Sequence, residues 1–344
     1  MAATVREVAQ LAGVSPSTVS RVFTAPDQVQ EATRQRVTDA ARQLGYRPDP
    51  AARTLRSGRT ESLGLVVPDI ANPFFPPLIK AAESQARKHD HHIFVADTNE
   101  DPAAEEEVVR ALAKQVDGVL ICSPRMNNAL IEQLSREVPL VVVNRQIAGI
   151  PAVVMDVAQG ARLAVEHLTS LGHRNIALLS GPRGSWTSRE IRRSATATAR
   201  AGHAELTVIG PNPPTEVGGL TVAEDVLRAG ATAVLAYNDL MAIGLIEGLL
   251  TAGARVPEDV SVVGIDDIML SRLTRPKLTT VATPTAAAGR AAVDMLLAHG
   301  DDRRSTAHLH LQTELVIRDS TGPGPGPHSP ADPGYVNVPG GVAS

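Results

Sequence analysis

The chain has 344 residues, 43% of them hydrophobic and 20% charged, with a formal net charge of −4. That is enough for two or three domains with substantial cores, and the single cysteine, Cys122, excludes an intrachain disulfide framework and reads as a small buried residue. No apolar run is long enough to span a membrane and the amino terminus lacks the apolar core of a secretory leader, so a cytoplasmic protein is expected.

The first elements are read from TVREVAQLAGVSPSTVSRVF, residues 4–23. Thr4 and Glu7 have capping-box spacing, Val5, Val8, Ala9 and Ala12 fall on one helical face, and Gly13 stops the helix. Ser15 then caps a second helix with Pro16 at its first position, where no N–H is needed. Val19 and Val22 face the first helix, which turns Ser17, Thr18, Ser20 and Arg21 outward. Two short helices around a tight turn, the second offering hydroxyls and a guanidinium that can pair with guanine O6 and N7, have the form that enters a DNA major groove. An ordinary helical hairpin shares this local pattern, but the following residues favour the DNA reading. Residues 30–45 predict a third helix with Val37, Ala40, Ala41 and Leu44 inward and Gly45 as its stop. In YRPDPAARTLRSGRT, Asp49 and Pro50 can start one more helix, too brief to persist alone in water. Residues 1–59 carry nine arginines against five acids, a net +4 that leaves −8 for the remainder. A basic head on an acidic body points to localised anion binding.

From residue 61 short apolar runs alternate with amphipathic stretches. LGLVV (63–67), HIFVA (92–96), GVLIC (118–122) and PLVVV (139–143) predict parallel strands covered on both faces. AVVMD (152–156), NIALLSG (175–181), LTVIG (206–210), TAVLAY (232–237) and VSVVGI (260–265) repeat the arrangement. Two successive βα arrays predict two doubly wound parallel sheets with a cleft between them, and ligands of such sheets bind beyond the carboxyl ends of the strands. Polar and aromatic residues gather at those ends, in PDIANPFF, NRQ, SGPRGSWTSREIRR, AYNDLMAIG and GIDDI. Four of the eight aromatic residues, Phe74, Phe75, Trp186 and Tyr237, sit there and suggest stacking faces for a ring-shaped ligand, although the two phenylalanines can equally pack at a helix start.

The first 60 residues resemble the DNA-binding headpiece and hinge of the LacI family of bacterial transcriptional regulators, carried by VSPSTVSRVF and RPDPAARTLRSG. The resemblance continues to about residue 318 through VPDIANPFF, HLTSLGHRNIALLSGP, VLAYNDLMAIG, VPEDVSVVGIDDI and RPKLTTV. It implies an all-α helix-turn-helix headpiece (1–47), a hinge helix and linker (48–60), a bilobed α/β effector-binding and dimerisation domain like a periplasmic binding protein (61–318), and a Pro/Gly-rich tail (319–344). It also implies that paired hinge helices enter the minor groove, with Leu55 as an apolar wedge between base pairs and Arg53 and Arg56 as basic flanks. Base readout falls to Ser17 and Arg21, with apolar contact from Pro16, and Thr4, Thr18, Ser20, Thr33 and Tyr46 are candidates for phosphate contacts. Asn144, Asn238 and Asp266 occupy effector-pocket positions by the same resemblance. The family's pocket arginine aligns with Arg192 if the preceding loop holds one extra residue, and with Arg189 otherwise; the glycine usual three positions later is Ala195. Asp239 and Asp267 read as structural.

An enzyme is not expected. No GxGxxG follows a first strand, no GxxxxGK[ST] loop occurs, and no catalytic triad can be identified. His89, His91 and His92 lack matching ligands at defined spacing and read as a solvated turn, so neither a metal nor a cofactor is expected. A solute-binding receptor shares the bilobed fold but has no use for a DNA head. The segment from Thr321 is rich in Pro and Gly and should be disordered, and the leucine heptads that assemble some members into tetramers are absent. The expected protein is a homodimer that reads two half-sites of double-stranded operator DNA, most simply as a repressor and alternatively as an activator. Its effector is a sugar, a sugar phosphate or a nucleobase-like compound bound between the lobes.

Overall fold

A computed structural model describes residues 3–46, 59–301 and 306–325. The described chain falls into two compact units, Met1–Glu61 and Ser62–Ser344. The expected hinge helix with Arg53, Leu55 and Arg56, and the chain beyond residue 325, lie outside the described residues.

The first unit contains α1 (Val5–Ala12), α2 (Pro16–Thr24) and α3 (Glu31–Leu44). The Thr4 amide donates to Glu7 Oε2 at 2.7 Å and the Glu7 amide to Thr4 Oγ1, closing the capping box. Gly13 ends α1 with φ of 65°, a left-handed conformation that a side chain would strain, and Ser15 Oγ accepts from the Thr18 amide to start α2. The core is Val8, Ala9, Ala12, Val19, Val22, Val37, Ala40 and Ala41. Leu44, expected inward, is 37% exposed. It occupies the last helical position, one turn beyond the part of α3 that α1 and α2 cover.

The second unit holds two six-stranded sheets. The first has the order β11-β5-β4-β3-β1-β2, where β1 is Ser62–Val67, β2 His92–Asp97, β3 Gly118–Cys122, β4 Leu140–Val143, β5 Ala152–Met155 and β11 His308–Leu311. The second has the order β12-β10-β9-β8-β6-β7, with β6 Asn175–Leu179, β7 Glu205–Ile209, β8 Ala233–Ala236, β9 Ser261–Asp266, β10 Thr279–Ala282 and β12 Glu314–Val316. All pairings are parallel except that of β10 with β12. The helices that matter for the site are α4 (Phe75–Lys88), α5 (Pro102–Leu112), α6 (Asn128–Glu137), α7 (Val157–Ser170) and α8 (Trp186–Ala201). They are followed by α9 (Glu216–Leu220), α10 (Ala223–Arg228), α11 (Asp239–Thr251) and α12 (Thr285–Asp301).

The two lobes are not two successive halves of the chain. AVVMD was grouped with the second array, yet β5 pairs with β4 in the first sheet (Val142 opposite Ala152, Val143 opposite Val153), and the crossover follows at Asp156, whose carboxylate caps α7. After β10 the chain returns. Ala288, Ala292, Val293 and Leu296 of α12 pack on Leu63, Leu65, Leu120 and Val141 of the first sheet. β11 then joins the first sheet and β12 the second, so three crossovers tie the lobes together. A second difference concerns β2. It was expected to be covered on both faces but forms the sheet edge, leaving Phe94 54% and Val95 39% exposed.

The expected disorder from Thr321 does not hold for the first residues of that segment. Ser320 is fully buried with its hydroxyl on the Val262 carbonyl at 2.6 Å, His173 Nε2 lies 3.1 Å from the Gly322 carbonyl, and the Gly324 amide donates to Leu171 O. Local composition favours disorder, but buried polar partners on α7 and β9 fix the backbone. The His89–His92 turn is also less open than expected. His91 Nε2 approaches Asp117 to 3.7 Å with its side chain 13% exposed, and among the described residues no three or more His, Cys, Asp or Glu are grouped to hold a metal ion.

Candidate functional site

In the first unit, packing of Val19 and Val22 into the core directs the opposite face of α2 outward. Pro16, Ser17 and Arg21 are exposed, whereas Thr18 and Ser20 are half-buried. The Ser17 and Thr18 hydroxyls lie 2.7 and 2.9 Å from Ser15 Oγ. Thr4 is exposed but engaged with Glu7, Thr33 is half-buried in the first turn of α3, and Tyr46 packs beside Phe23 with ring centroids 5.9 Å apart. A convex helix face with exposed hydroxyls and a guanidinium suits entry into a major groove.

In the second unit, the carboxyl ends of β1 to β10 converge on one cavity. From the first sheet come Asn72, Phe74 and Phe75 after β1, Glu100 after β2, Ser123 and Arg125 after β3, and Asn144 after β4. Val157 follows β5; the second sheet contributes Thr187 after β6, Pro214 after β7, Tyr237 and Asn238 after β8 and Asp266 at the end of β9, with Thr283 after β10. Several of these strand ends carry strained backbones. Glu100, Ser123, Asn144 and Asp266 have φ of 61°, 47°, 63° and 127°, conformations that non-glycine residues adopt at a cost and that concentrate at functional sites.

The side chains in the cleft divide into those whose polar groups are occupied and those left open. Asn238 is buried, with Oδ1 capping α11 through the Met241 amide at 2.9 Å and Nδ2 on Pro214 O at 2.9 Å. Its position in the lining is as expected, but its hydrogen-bonding groups serve the fold. Tyr237 donates to or accepts from Ser185 Oγ at 3.1 Å, and its ring lies where a Cβ on Gly181 would stand 2.6 Å from it, so only glycine fits in that strand end. Asn144 gives Nδ2 to Ser123 Oγ, while its buried Oδ1 has no partner. Asp266 presents a carboxyl to the cleft, held well above the usual carboxylate range by desolvation and then by Asp239.

Two buried acids support the rim. Asp239 takes the Ile268 amide at 2.9 Å and the Thr280 hydroxyl at 2.5 Å, pinning the turn that follows Asp266, and burial pushes its carboxyl up to about 7. It is structural, as expected, although Asn238 and not Asp239 caps α11. Asp267 points away into Arg272 and Arg318, which hold its carboxyl below the usual value although burial acts the other way. In the other lobe Glu105 of α5 is fully buried and accepts from the amides of Arg125 and Met126 at 2.9 and 2.8 Å. Arg145 is also buried, its guanidinium on the carbonyls of Pro124 and Met126.

Neither candidate pocket arginine reaches the cleft. Arg189 and Arg192 are exposed on the outer face of α8, because Ile191, Ala195 and Ala199 turn the opposite face into the second lobe's core. Trp186 is half-buried against the core of the first lobe and is absent from the cavity lining. It bridges the lobes at the start of α8. The arginine of the cleft is Arg125, which with Glu100 and Ser123 lies outside the strand-end stretches singled out in the sequence, whereas Asn72 and Thr187 lie within them. The signal of the first three was the same one used for the others, polar residues where an apolar run stops, since TNED follows β2 and SPR follows β3.

Comparison with known proteins now decides the family. Residues 4–49 match the model for bacterial regulatory proteins of the lacI family, and residues 165–321 match the periplasmic binding protein-like domain. The chain is 33% identical over 342 residues to the HTH-type transcriptional regulator DegA of Bacillus subtilis (strain 168), covering 94% of this chain and 99% of that protein. The chain belongs to the lacI family of bacterial regulatory proteins. It is a DNA-binding transcriptional regulator and not an enzyme. Among other lacI-family relatives, the HTH-type transcriptional repressor CytR of Escherichia coli (strain K12) is 33% identical, with 93% of this chain and 96% of CytR aligned. The lac repressor dimer bound to operator and the anti-inducer ONPF matches with a TM-score of 0.85 at 28% identity, over 94% of this chain and all of that one. The CelR–cellobiose complex matches with a TM-score of 0.69 at 30% identity, covering 92% and 99%.

Proposed function

We propose that this regulator is a homodimeric repressor, acting in the cytoplasm, whose grip on operator DNA is set by a small molecule, most simply a sugar, held in the cleft between the two sheets. The observation that carries this reading is the convergence of the strand ends of both sheets, with strained backbones and open polar groups, on one cavity. Relatives support it: CytR and PurR are named as repressors, CelR binds cellobiose, and a LacI family regulator from Enterococcus faecium is known with bound ribose.

On the DNA side, Ser17 and Arg21 read base edges with Pro16 in apolar contact, and Thr4, Thr18, Ser20, Thr33 and Tyr46 meet phosphates. Arg53 and Leu55 act in the minor groove. In the cleft, Asp266 and Asn144 take the effector's hydroxyls, Phe74, Phe75 and Tyr237 wall its ring, and Asn238 shapes the pocket. Effector acts only through a difference in affinity between two lobe arrangements, and DNA affects effector affinity by the same factor.

A dimer surface is available in the second lobe. Val217, Leu220 and Leu250 are 57%, 45% and 44% exposed around a groove that also involves Ile243, Ile246 and Thr274, and Leu273 beside it is 63% exposed. An apolar patch of this kind on a soluble regulator calls for a partner, and two-fold symmetry matches a palindromic operator. Selection of bound sequences from random duplexes tests the whole reading. The expected result is an inverted repeat whose occupancy changes with one of a panel of sugars; recovery of no preferred sequence refutes it.

A further inference from the structure

We propose that the effector is a hydroxyl-rich molecule without a negative charge, and that Glu100 is the residue that enforces this. The proposal rests on the reading of the cleft as the effector site. Among the described residues, Arg125 is the sole cationic side chain in the lining. Its Nε and Nη2 donate to the two oxygens of Glu100 at 2.5 and 2.9 Å, fork on fork, and Nη1 donates to the Ser123 carbonyl at 2.6 Å. Three of the five guanidinium N–H groups, including both of the Nε–Nη2 edge, therefore have acceptors already. The Arg125 side chain is 6% exposed and that of Glu100 26%, so the pair is largely withdrawn from water.

A phosphate or carboxylate ligand needs a free fork or an uncompensated cation. Here the charge is already compensated and the Nε–Nη2 edge is taken, so an anion would either lie against the Glu100 carboxylate or displace it, leaving that carboxylate unpaired in a partly desolvated site, which is the expensive way to break an ion pair. The turn opposes such a displacement, since Asn99 and Glu100 are both left-handed (φ 49° and 61°) and the Glu100 amide is tied to Pro68 O at 2.7 Å. The other polar groups of the lining carry no positive charge, and acceptors are among them. Asp266 contributes carboxyl oxygens and Asn144 contributes the unpartnered Oδ1. Acceptors call for donors, which hydroxyls supply and anionic groups do not. Phe74 and Phe75, an edge-to-face pair with centroids 4.9 Å apart, add an apolar wall for the carbon face of a ring. Among a sugar, a sugar phosphate and a nucleobase-like compound, this chemistry selects the unphosphorylated polyol.

The test needs no knowledge of the effector, because inorganic phosphate serves as the probe and Trp186, the single tryptophan, reports on the second unit alone. Thermal unfolding of the full chain is followed by Trp186 emission in phosphate and in chloride of equal ionic strength, for the wild type, Arg125→Met, Glu100→Gln, and Glu100→Gln combined with Arg125→Met. The expected result is equal transitions in the two salts for the wild type, a higher transition in phosphate for Glu100→Gln, and loss of that gain in the double variant. A phosphate-specific rise in the wild type that Arg125→Met removes overturns the proposal, and so does a Glu100→Gln variant that folds yet gains nothing. In a second arm, glucose and ribose are compared with their phosphates; tighter binding of a phosphorylated member also overturns it. Operator selection stands apart from both arms, so failure here leaves the regulator reading intact, and the reverse holds.

Discussion

Replacing Asp239 by Asn is expected to change how stability depends on pH. The carboxylate is fully buried, accepting the Thr280 hydroxyl at 2.5 Å and the Ile268 amide at 2.9 Å, and burial pushes it from the ordinary 3.8 up to about 7. Between those values the folded chain keeps a proton that the unfolded chain has released. Stability therefore falls as pH rises from about 4 to about 7, and the full penalty is present above that window. About three units at roughly 1.36 kcal/mol each amount to about 4 kcal/mol. Asn has nearly the same volume and no charge at any pH. Its Oδ1 can face the Ile268 amide while Nδ2 donates to the Thr280 hydroxyl, which accepts as readily as it donates. Asp239→Asn should thus match the wild type near pH 4 and exceed it by up to about 4 kcal/mol near pH 8. Any slope left in the variant over this range belongs to the other shifted groups, the raised carboxyls of Asp266 and Glu105 and the lowered imidazoles of His167 and His173. Urea unfolding followed by Trp186 emission at several pH values measures this. Parallel stability profiles for the two proteins would refute the buried-acid reasoning.

Arg21→Ala should weaken binding to the selected operator by roughly 1–3 kcal/mol and relax discrimination at one base position; an unchanged preference in binding selection removes Arg21 from the readout. Asp266→Ala should abolish the effector response in an operator-release assay while DNA affinity without effector stays near wild type. Glu105→Ala leaves the amides of Arg125 and Met126 without their acceptor, at about 1–3 kcal/mol for each buried donor, and should lower the urea midpoint and effector affinity together. His173 is held below its ordinary value by burial, so its folded-state contribution is lost as pH falls through about 6.5. Acidification, or His173→Ala at neutral pH, should expose the segment around Gly322 to proteolysis, and resistance in both cases would discount the His173 contact.

The helices of the first unit were legible because each of their signals is local. The capping box at Thr4, the Ser15–Pro16 start and the Gly13 and Gly45 stops act within a few residues of one another. Nine strands were also legible as unbroken apolar runs. The runs TTVA, HLHL and ELV were not read as strands, since they are three or four residues long and partly polar, and only neighbouring strands satisfy their backbones.

The cleft shows the same division more sharply. The sequence alone determined that polar and aromatic residues follow apolar runs, which is why Phe74, Phe75 and Tyr237 could be named, while resemblance to the lacI family supplied Asn144, Asn238 and Asp266; all six line one cavity. Only the tertiary structure decided that Arg125 enters it, already neutralised by a residue 25 positions earlier, while Arg189 and Arg192 face solvent. It also decided that α12 and β11 complete the first lobe before β12 returns to the second. Capping and periodicity are short-range and are written in adjacent residues; strand order and ion-pair partners depend on which distant surfaces bury each other, and no local pattern encodes that choice.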